Sequence, residues 1–351
     1  MITVNGARGA SVGALALLFP LLASCSGSMP SSNGAVQAEV QHSKAQQYLY
    51  VGNGGQSGSK FVVYNLNGTK PLREFTRAWG VYGMAIDPWG DIYTVDAMLS
   101  GGEITAYTPG GRSVLLTISE DADNAVAIDS TGNVYDAEPQ GIVVFHSRSK
   151  KILRAIGRQA SDATALAFDS EGNLYAARVY RHGVVEVYAP GSNEPFRRIT
   201  KGIYLPQALA FDASGNLYVA NCPGCYHRNN EPNGSVAEYG PGADTPMRTI
   251  KKDLNLPLAL ATGSNGLLFV ENETIADPGS ILVYGPSGVK PLRSIDVTAA
   301  GLTVGPNGDL YIGQVGKPCC SVRVYDPTGS TMLRKITDGV TDPEEIATGS
   351  N

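Results

Sequence analysis

The chain has 351 residues, of which 42% are hydrophobic, and it contains 42 glycines and 21 prolines. Its 27 Lys and Arg residues against 32 Asp and Glu give a net charge of −5. This balance excludes a strong electrostatic attraction to nucleic acid or to anionic lipid. Abundant Gly and Pro favour many short strands joined by tight turns.

The first 46 residues lie outside the pattern that organises the rest of the chain. Arg8 precedes an apolar run over residues 14–23, which is too short to span a bilayer as a helix and is typical of a signal-peptide core. The residues Leu22-Ala23-Ser24-Cys25 resemble the bacterial lipoprotein cleavage box, which implies cleavage before Cys25 and lipid attachment to it. An ordinary secretory signal with an incidental Cys is the alternative.

These features predict three segments. Residues 1–24 are a lipoprotein signal peptide, residues 25–46 are a flexible Ser- and Gln-rich tether, and residues 47–351 are the folded domain. The protein is then expected to be an exported bacterial lipoprotein of the cell envelope, bound to the membrane through its lipid anchor only.

One phrase recurs along the folded domain: an apolar-Ala-apolar-Asp stretch, a Gly-centred turn, then apolar-Tyr. From the first of its anchoring small residues to the last, six steps cover 262 residues, or about 43.7 residues each. This period predicts four-stranded propeller blades and a single domain. The anchoring residues are Ala85, Ala127, Ala167, Ala210, Ala261, Thr303 and Ala347.

The last repeat stops after its first strand, and residues 48–53 at the other end of the domain match the missing continuation. Seven units of this length need about 306 residues, and residues 47–351 number 305. The sequence therefore predicts an all-β, seven-bladed propeller of four-stranded antiparallel blades. The C-terminus supplies the inner strand of the shared blade and the N-terminus supplies its outer three, so no sheet edge is exposed at the seam.

Blade 5 shows the expected strands, which we name A to D from the centre outward: 208–211, 217–220, 235–239 and 247–250. An Asp-x-x-Gly turn joins A to B, as at Asp212 to Gly215. Its Asp side chain can accept hydrogen bonds from the turn's own amides, which favours a hairpin over the alternative of calcium binding. Strand C ends in an aromatic residue and strand D carries an Arg, and both are expected to pack within the scaffold.

Removing Cys25 from the five cysteines leaves Cys222, Cys225, Cys319 and Cys320, an even number in an oxidising compartment. Both pairs lie in B–C loops, one in blade 5 and the other in blade 7. We expect disulfides, and three pairings are open. A four-Cys zinc site is the alternative, but adjacent cysteines lack the usual knuckle spacing, so we assign no metal site.

Departures from the repeat point to the B–C loops and D–A crossings as the place for a ligand. The longest loop, residues 221–234, lies in the blade next to residues 178–182, and together these segments concentrate aromatic, basic and imidazole groups. The strand B ends form an expected polar ring at one end of the channel: Asn53, Asp96, Glu138, Arg178, Asn221, Asn272 and Gln314. The ligand-binding candidates are Arg178, Tyr180, Arg181, His182, Tyr226, His227, Arg228, Tyr82, Glu138 and Glu345.

The unit resembles the NHL-type repeat in its Gly-Asn-Leu-Tyr-Val-Ala-Asn segment at residues 215–221 and its Val-x-Val-Tyr segment at 185–188. This resemblance implies a propeller whose relatives include protein and carbohydrate binders, and also lactonases and lyases that hold a metal over the channel. Such lyases use His ligands, whereas the propeller segment here has only His146, His182 and His227.

Two hypotheses of function follow. The first is a tethered, non-enzymatic binding or scaffold module that recognises a protein or glycan of the cell envelope as a monomer without a cofactor. The second is a metal-assisted lactonase or lyase that would require a divalent cation. Its site would lie over the central channel, where His182 and His227 would serve as base or ligands with Glu138 or Glu345.

Overall fold

The computed structural model describes residues 45–350 except 55–58, 78–79, 97–101, 120–124, 158–162, 180, 227–233, 275–278 and 317–318. Twenty-eight strands form seven separate four-stranded sheets, each antiparallel throughout. The predicted seven-bladed propeller is thereby confirmed. No helix in the described part is long and apolar enough to cross a membrane.

The shared blade closes the ring as predicted. Blade 1 consists, from the centre outward, of β28 (Pro343–Ser350), β1 (Gln47–Asn53), β2 (Ser59–Asn65) and β3 (Pro71–Arg77). Strands β28 and β1 pair over seven residue pairs, among them Ala347 with Tyr50 and Ile346 with Val51. The C-terminus therefore provides strand A of the blade that the N-terminus begins.

The other blades follow in chain order. Blade 2 contains β4 (Val81–Ile86), β5 (Ile92–Asp96), β6 (Glu103–Tyr107) and β7 (Val114–Ser119), with a 3-10 turn at Pro109–Gly111. Blade 3 contains β8 (Ala125–Ile128), β9 (Val134–Glu138), β10 (Gly141–Phe145) and β11 (Ile152–Ile156). Blade 4 contains β12 (Ala163–Phe168), β13 (Leu174–Arg178), β14 (Val184–Tyr188) and β15 (Arg197–Ile199).

Blade 5 contains β16 (Pro206–Phe211), β17 (Leu217–Asn221), β18 (Ser235–Tyr239) and β19 (Arg248–Ile250), with the one-turn helix α1 (Pro223–Tyr226) after β17. Blade 6 contains β20 (Leu256–Thr262), β21 (Leu268–Glu273), β22 (Ser280–Tyr284) and β23 (Arg293–Asp296). Blade 7 contains β24 (Ala299–Val304), β25 (Leu310–Gln314), β26 (Ser321–Tyr325) and β27 (Met332–Ile336).

Strand A of blade 5 begins two residues earlier than the sequence indicated, at Pro206 rather than Ala208. A bulge between Pro206 and Ala208 lets Pro206 pair with Asn221 at the end of strand B. Periodicity alone did not extend strand A past this bulge, because the extra residue breaks the alternation of buried positions.

The core lies between neighbouring blades rather than inside any one of them. One cluster joins Val187 of blade 4 to Leu209 and Tyr239 of blade 5, and another joins Phe61 of blade 1 to Tyr107 of blade 2. The aromatic residues that end strand C are buried in all seven blades, as expected. These residues are Tyr64, Tyr107, Phe145, Tyr188, Tyr239, Tyr284 and Tyr325.

The strand D arginines also hold blades together. Arg73 donates to Gly110 O at 2.7 Å, Arg154 to Ser192 O at 2.9 Å, and Arg248 to Gly288 O at 2.7 Å. In each case the acceptor lies in the C–D turn of the following blade. Arg334 completes the ring by donating to Leu66 O of blade 1 at 2.5 Å. The predicted structural role of these cations is confirmed.

Antiparallel strands place the A–B and C–D turns at one end of each blade, here called the turn face, and the B–C loops and D–A crossings at the other, the loop face. In blade 3, Asp129 Oδ1 accepts from the amides of Thr131 and Asn133, both at 2.9 Å, and Gly132 has φ 84°. Blades 4 and 5 repeat this geometry at Asp169 and Asp212. The hairpin interpretation of the Asp-x-x-Gly turns is confirmed.

Candidate binding site

Three segments of the loop face meet between blades 4 and 5, where the sequence predicts a ligand site. They are residues 181–183 after β13, the blade 4–5 crossing at residues 200–205, and residues 222–225 after β17. Leu205 joins all three through its backbone, because its N–H donates to His182 O at 2.9 Å and its carbonyl accepts from Cys222 N at 3.0 Å. The segments therefore form one backbone-bonded unit, which we call the loop-face site.

Two residues of this unit hold a conformation that L-amino acids rarely adopt. Arg181 has φ 61° and Leu205 has φ 50°. Such left-handed residues cost about 1 kcal/mol or more each, and they persist where the surrounding structure imposes them, often at ligand sites. Gly183 between them, with φ 107°, cannot be replaced, because a Cβ there would lie 2.5 Å from Pro206 Cδ.

A pair of stacked rings belongs to the residues next to these two positions. The His182 imidazole lies 5.9 Å from the Tyr204 phenol ring, with 15° between their planes. His182 and the adjacent Arg181 are exposed, and Tyr204 is half-buried. We call the two rings the ring platform. Flat faces next to a guanidinium suit stacking and hydrogen bonding with a ligand.

Arg178, another predicted ligand residue, lies below the surface rather than on it. Its Nη1 is 3.1 Å from Glu186 Oε2, and both side chains are buried. Burial would raise the pKa of Glu186, but hydrogen bonds from Tyr188 and Arg198 and the charge of Arg178 hold that pKa below its ordinary value. Glu186 therefore stays ionised at neutral pH and fixes Arg178 beneath the loop-face site.

Three members of the expected polar ring serve the scaffold. Asn221 Oδ1 accepts from Tyr204 N at 2.9 Å, and its amide donates to Gly202 O at 2.9 Å. Asn53 and Asn272 brace the crossings of their own blades in the same way. Because the same kind of side chain pairs with backbone groups of a crossing in several blades, its role is structural. Of the ring's other members, Gln314 accepts from Ser321 Oγ and Arg323 Nε at 2.8 and 2.9 Å.

Several predicted site residues lie elsewhere. Glu138 ends β9 in blade 3, and Glu345 is buried in β28 of blade 1. His146 lies on the turn face, where its Nδ1 is 2.7 Å from Ser147 O. Tyr180, His227, Arg228, Cys25 and the side chains of Tyr82 and Tyr226 lie outside the described residues.

Sequence reasoning missed Tyr204 and Leu205, which complete the loop-face site. Tyr204 gave no signal beyond being aromatic. The left-handed conformation of Leu205 has no sequence signature, because leucine rarely adopts it.

The four cysteines form two local pairs. Cys222 and Cys225 lie at the two ends of the turn around α1 with Cα atoms 5.4 Å apart, and Cys222 is buried. The sulfur atoms of Cys319 and its neighbour Cys320 are also in contact. Together these two contacts correspond to one of the three connectivities that the sequence left open. In the part of the chain that is described, no group of three or more His, Cys, Asp or Glu residues is arranged to hold a metal ion.

Comparison with known proteins supports the fold alone. No protein-family model matches the chain, and no curated protein matches it. Hydrazine synthase of Kuenenia stuttgartiensis superposes with a TM-score of 0.60 at 14% identity, over 76% of this chain and 88% of that one. Apo AztD from Citrobacter koseri superposes with a TM-score of 0.62 at 9% identity, over 87% of this chain and 99% of that one. These likenesses carry no activity across.

Proposed function

We propose that this protein is an exported, lipid-anchored β-propeller that binds a protein or glycan of the cell envelope through its loop face. The observation that carries the proposal is the loop-face site. There, two non-glycine residues are held at positive φ next to a pair of stacked rings, of which His182 is exposed and Tyr204 half-buried. Strain of this kind is retained where it presents a surface, and the rings and Arg181 supply contacts that suit recognition.

The same geometry favours binding over catalysis. Glu186, the ionised carboxylate nearest to Arg178, is held by two arginines and a tyrosine, so it is an anchor and is poorly suited to accept a proton. Elemental analysis of the native protein provides a separate check. One equivalent of tightly bound divalent ion would favour the lactonase or lyase hypothesis.

The lipid anchor and the disulfides belong to this proposal. Cys25 carries the lipid, residues 26–46 tether the propeller, and the pairs Cys222–Cys225 and Cys319–Cys320 are oxidised in the envelope. Intact-mass analysis of the mature protein should show an acylated N-terminal Cys, and a C25A variant should be released from membranes. Non-reducing peptide mapping should recover both local pairs.

The experiment for the binding function uses the full chain in mild detergent, immobilised and exposed to cell-envelope extract. An R181A/H182A/Y204A variant removes the guanidinium and both rings. The matched control is K251A/K252A, which removes two exposed cations from the next crossing. We expect at least one protein or glycan to be retained by the wild type and the control but lost from the triple variant. Equal capture by all three would disprove this placement.

A further inference from the structure

A second departure from the repeat occurs on the turn face, between blades 2 and 3. In the A–B turn of blade 2, Trp89 stands where other blades have small or polar residues such as Thr131 and Ser214. Two positions later, Asp91 replaces the Asn found in blades 3, 4 and 5. The backbone of this turn keeps the form of the repeat, with Gly90 at φ 82°, and only its side chains differ.

The C–D turn of blade 3 also departs from the pattern, and the two turns contact each other. Arg148, at φ 53°, occupies a left-handed position that Gly191 and Gly242 fill in the next two blades. Its Nε lies 2.5 Å from Asp91 Oδ2, its N–H donates to Tyr93 OH at 3.2 Å, and its guanidinium lies 5.5 Å from the Trp89 ring centre. The unusual residues of both turns thus contact one another around the Arg148 side chain.

Asp91 is fully buried, and its second carboxylate oxygen has no hydrogen-bond partner. The same is true of Oδ2 of the neighbouring Asp87. An Asn at position 91 would satisfy Asp87, as Asn173 Nδ2 satisfies Asp169 Oδ2 at 2.9 Å. A buried carboxylate with an unpaired oxygen destabilises the folded protein. We therefore attribute the presence of Asp91 at this position to its contact with Arg148. Asp91 is a positioning residue for that guanidinium.

Trp89 supplies a flat apolar surface beside the fixed charge. Its side chain is 49% exposed. The indole lies on the backbone of the blade 3 turn, because a Cβ on Gly132 would fall only 2.2 Å from Trp89 Cζ3. A large ring held half in solvent by a glycine is typical of a stacking surface.

The two turns border an open groove of about 530 Å³ lined by Trp89, His146, Ser147, Arg148, Ser149 and Lys151. His146 Nδ1 donates to Ser147 O, which leaves Nε2 as the nitrogen for a ligand. The carboxylates lie below the surface, whereas the exposed charges of the lining, on Arg148 and Lys151, are both positive. An indole face with cations at its edge suits a ring that carries an anion.

We propose that this groove binds a carboxylated saccharide. A sugar ring stacks its C–H face on Trp89, and its carboxylate accepts from the guanidinium of Arg148 and from Lys151. Arg148 donates through Nε to Asp91, so its remaining N–H donors serve the ligand. The site lies on the opposite face from the ring platform and is independent of the function proposed for it.

The test uses the full chain carrying W79F, which leaves Trp89 as the only tryptophan, with a melting curve to confirm folding. A hexasaccharide of galacturonic acid is titrated in EDTA, and its methyl ester and hexaglutamate serve as comparison probes. We expect the unesterified hexasaccharide to quench the fluorescence of Trp89 in a saturable way. The methyl ester and hexaglutamate should bind at least tenfold more weakly. Equal binding of the ester, tighter binding of hexaglutamate, or no saturation with the acid would each overturn the proposal.

Calorimetry with variants of the otherwise native chain assigns the residues. W89A and R148A should each lower the affinity for the galacturonic acid hexasaccharide at least tenfold. D91N should lower it severalfold while the protein stays folded. W89F, which keeps a ring, should retain most of the affinity if W89A proves unstable. The matched control is F196A, which removes an exposed ring that also lies under an arginine, Arg197 at 5.9 Å. Loss of binding in F196A equal to that in W89A would contradict the assignment.

Discussion

The A–B turns of blades 2 and 4 have the same backbone conformation but differ in how the side chains inside the turn are hydrogen-bonded. In blade 4, Asp169 accepts two amide hydrogen bonds through Oδ1 and one from Asn173 through Oδ2. In blade 2, Asp87 keeps the two amide bonds, but Asp91 replaces the donor and leaves buried oxygens unpaired. The regular turn stabilises only itself. The irregular one gives up local stability to fix Arg148, a group in the next blade.

The loop face also contains regular and irregular positions, which differ in their backbone conformation. The blade 5–6 crossing places Asp253 at φ 64° where the blade 4–5 crossing has Gly202 at φ 78°, so one positive φ belongs to the shared architecture. Among the described residues, Arg181 and Leu205 are additional non-glycine positions of this kind, and both lie beside the ring platform. Conformational strain that recurs around the ring is structural, whereas strain confined to one junction marks a candidate site.

The largest expected effect comes from breaking the shared blade. A chain ending after Asp342 lacks β28 and exposes the edge of β1 together with the core around Ile346. We expect loss of the cooperative thermal transition, measured by circular dichroism. A chain that lacks only Asn351 is the control, and it should melt like the wild type. A truncated chain that also melts like the wild type would refute ring closure by β28.

A pair of glycine substitutions compares the regular and irregular turns directly. Gly132 has φ 84° and faces Trp89, whereas Gly172 has φ 81° and meets only Pro190 Cγ at 3.5 Å. G172A should cost about 1 kcal/mol for the left-handed alanine, and G132A about 2–3 kcal/mol, since the indole must also move. Urea denaturation measures both. Equal losses would show that Trp89 does not depend on Gly132.

Restoring the repeat at position 91 should stabilise the protein. D91N gives Asp87 Oδ2 the donor that Asp169 already has, and we expect a gain of about 1 kcal/mol at pH 7. The reverse change, N173D, should cost a similar amount. Denaturation of both variants tests the comparison, and a destabilised D91N would mean that the ion pair to Arg148 outweighs the unpaired oxygens.

The gain from D91N should depend on pH. Burial raises the pKa of Asp87 to about 6, so the folded state binds this proton more tightly than the unfolded state does. The stability linked to Asp87 is therefore fully present below its ordinary pKa of 3.8 and is lost as the pH rises through 6. As the pH falls from 7 to 4, the free energy of unfolding of the wild type should approach that of D91N. Parallel curves would contradict this account of Asp87.

The smallest expected effect concerns the loop face. R181G relieves the left-handed strain and should change the free energy of unfolding by less than about 1 kcal/mol, in the stabilising direction, while it weakens ligand capture. R112G, at an exposed position with an ordinary negative φ, is the control and should not stabilise. A destabilised R181G would show that the Arg181 side chain supports the fold.

The blade count, the closure and the scaffold roles of Asp129 and Arg248 could be predicted because each repeats, and a repeat reports what every blade needs. Asn221 could not be assigned from one sequence, since its partners Tyr204 and Gly202 come from a crossing whose path the sequence does not show. The Asp-for-Asn change at position 91 is visible in the sequence. Its meaning depends on Arg148, 57 residues away.

The central claim, that recognition occurs at the loop-face site, is tested most directly by site-specific photo-crosslinking in intact cells. A photoreactive phenylalanine analogue is placed at position 182 or, as a control on the same face, at position 252, an exposed position in the blade 5–6 crossing. The account predicts a discrete crosslinked product with a cell-envelope component at position 182 and none at 252. The same products at both positions, or none at 182, would contradict it.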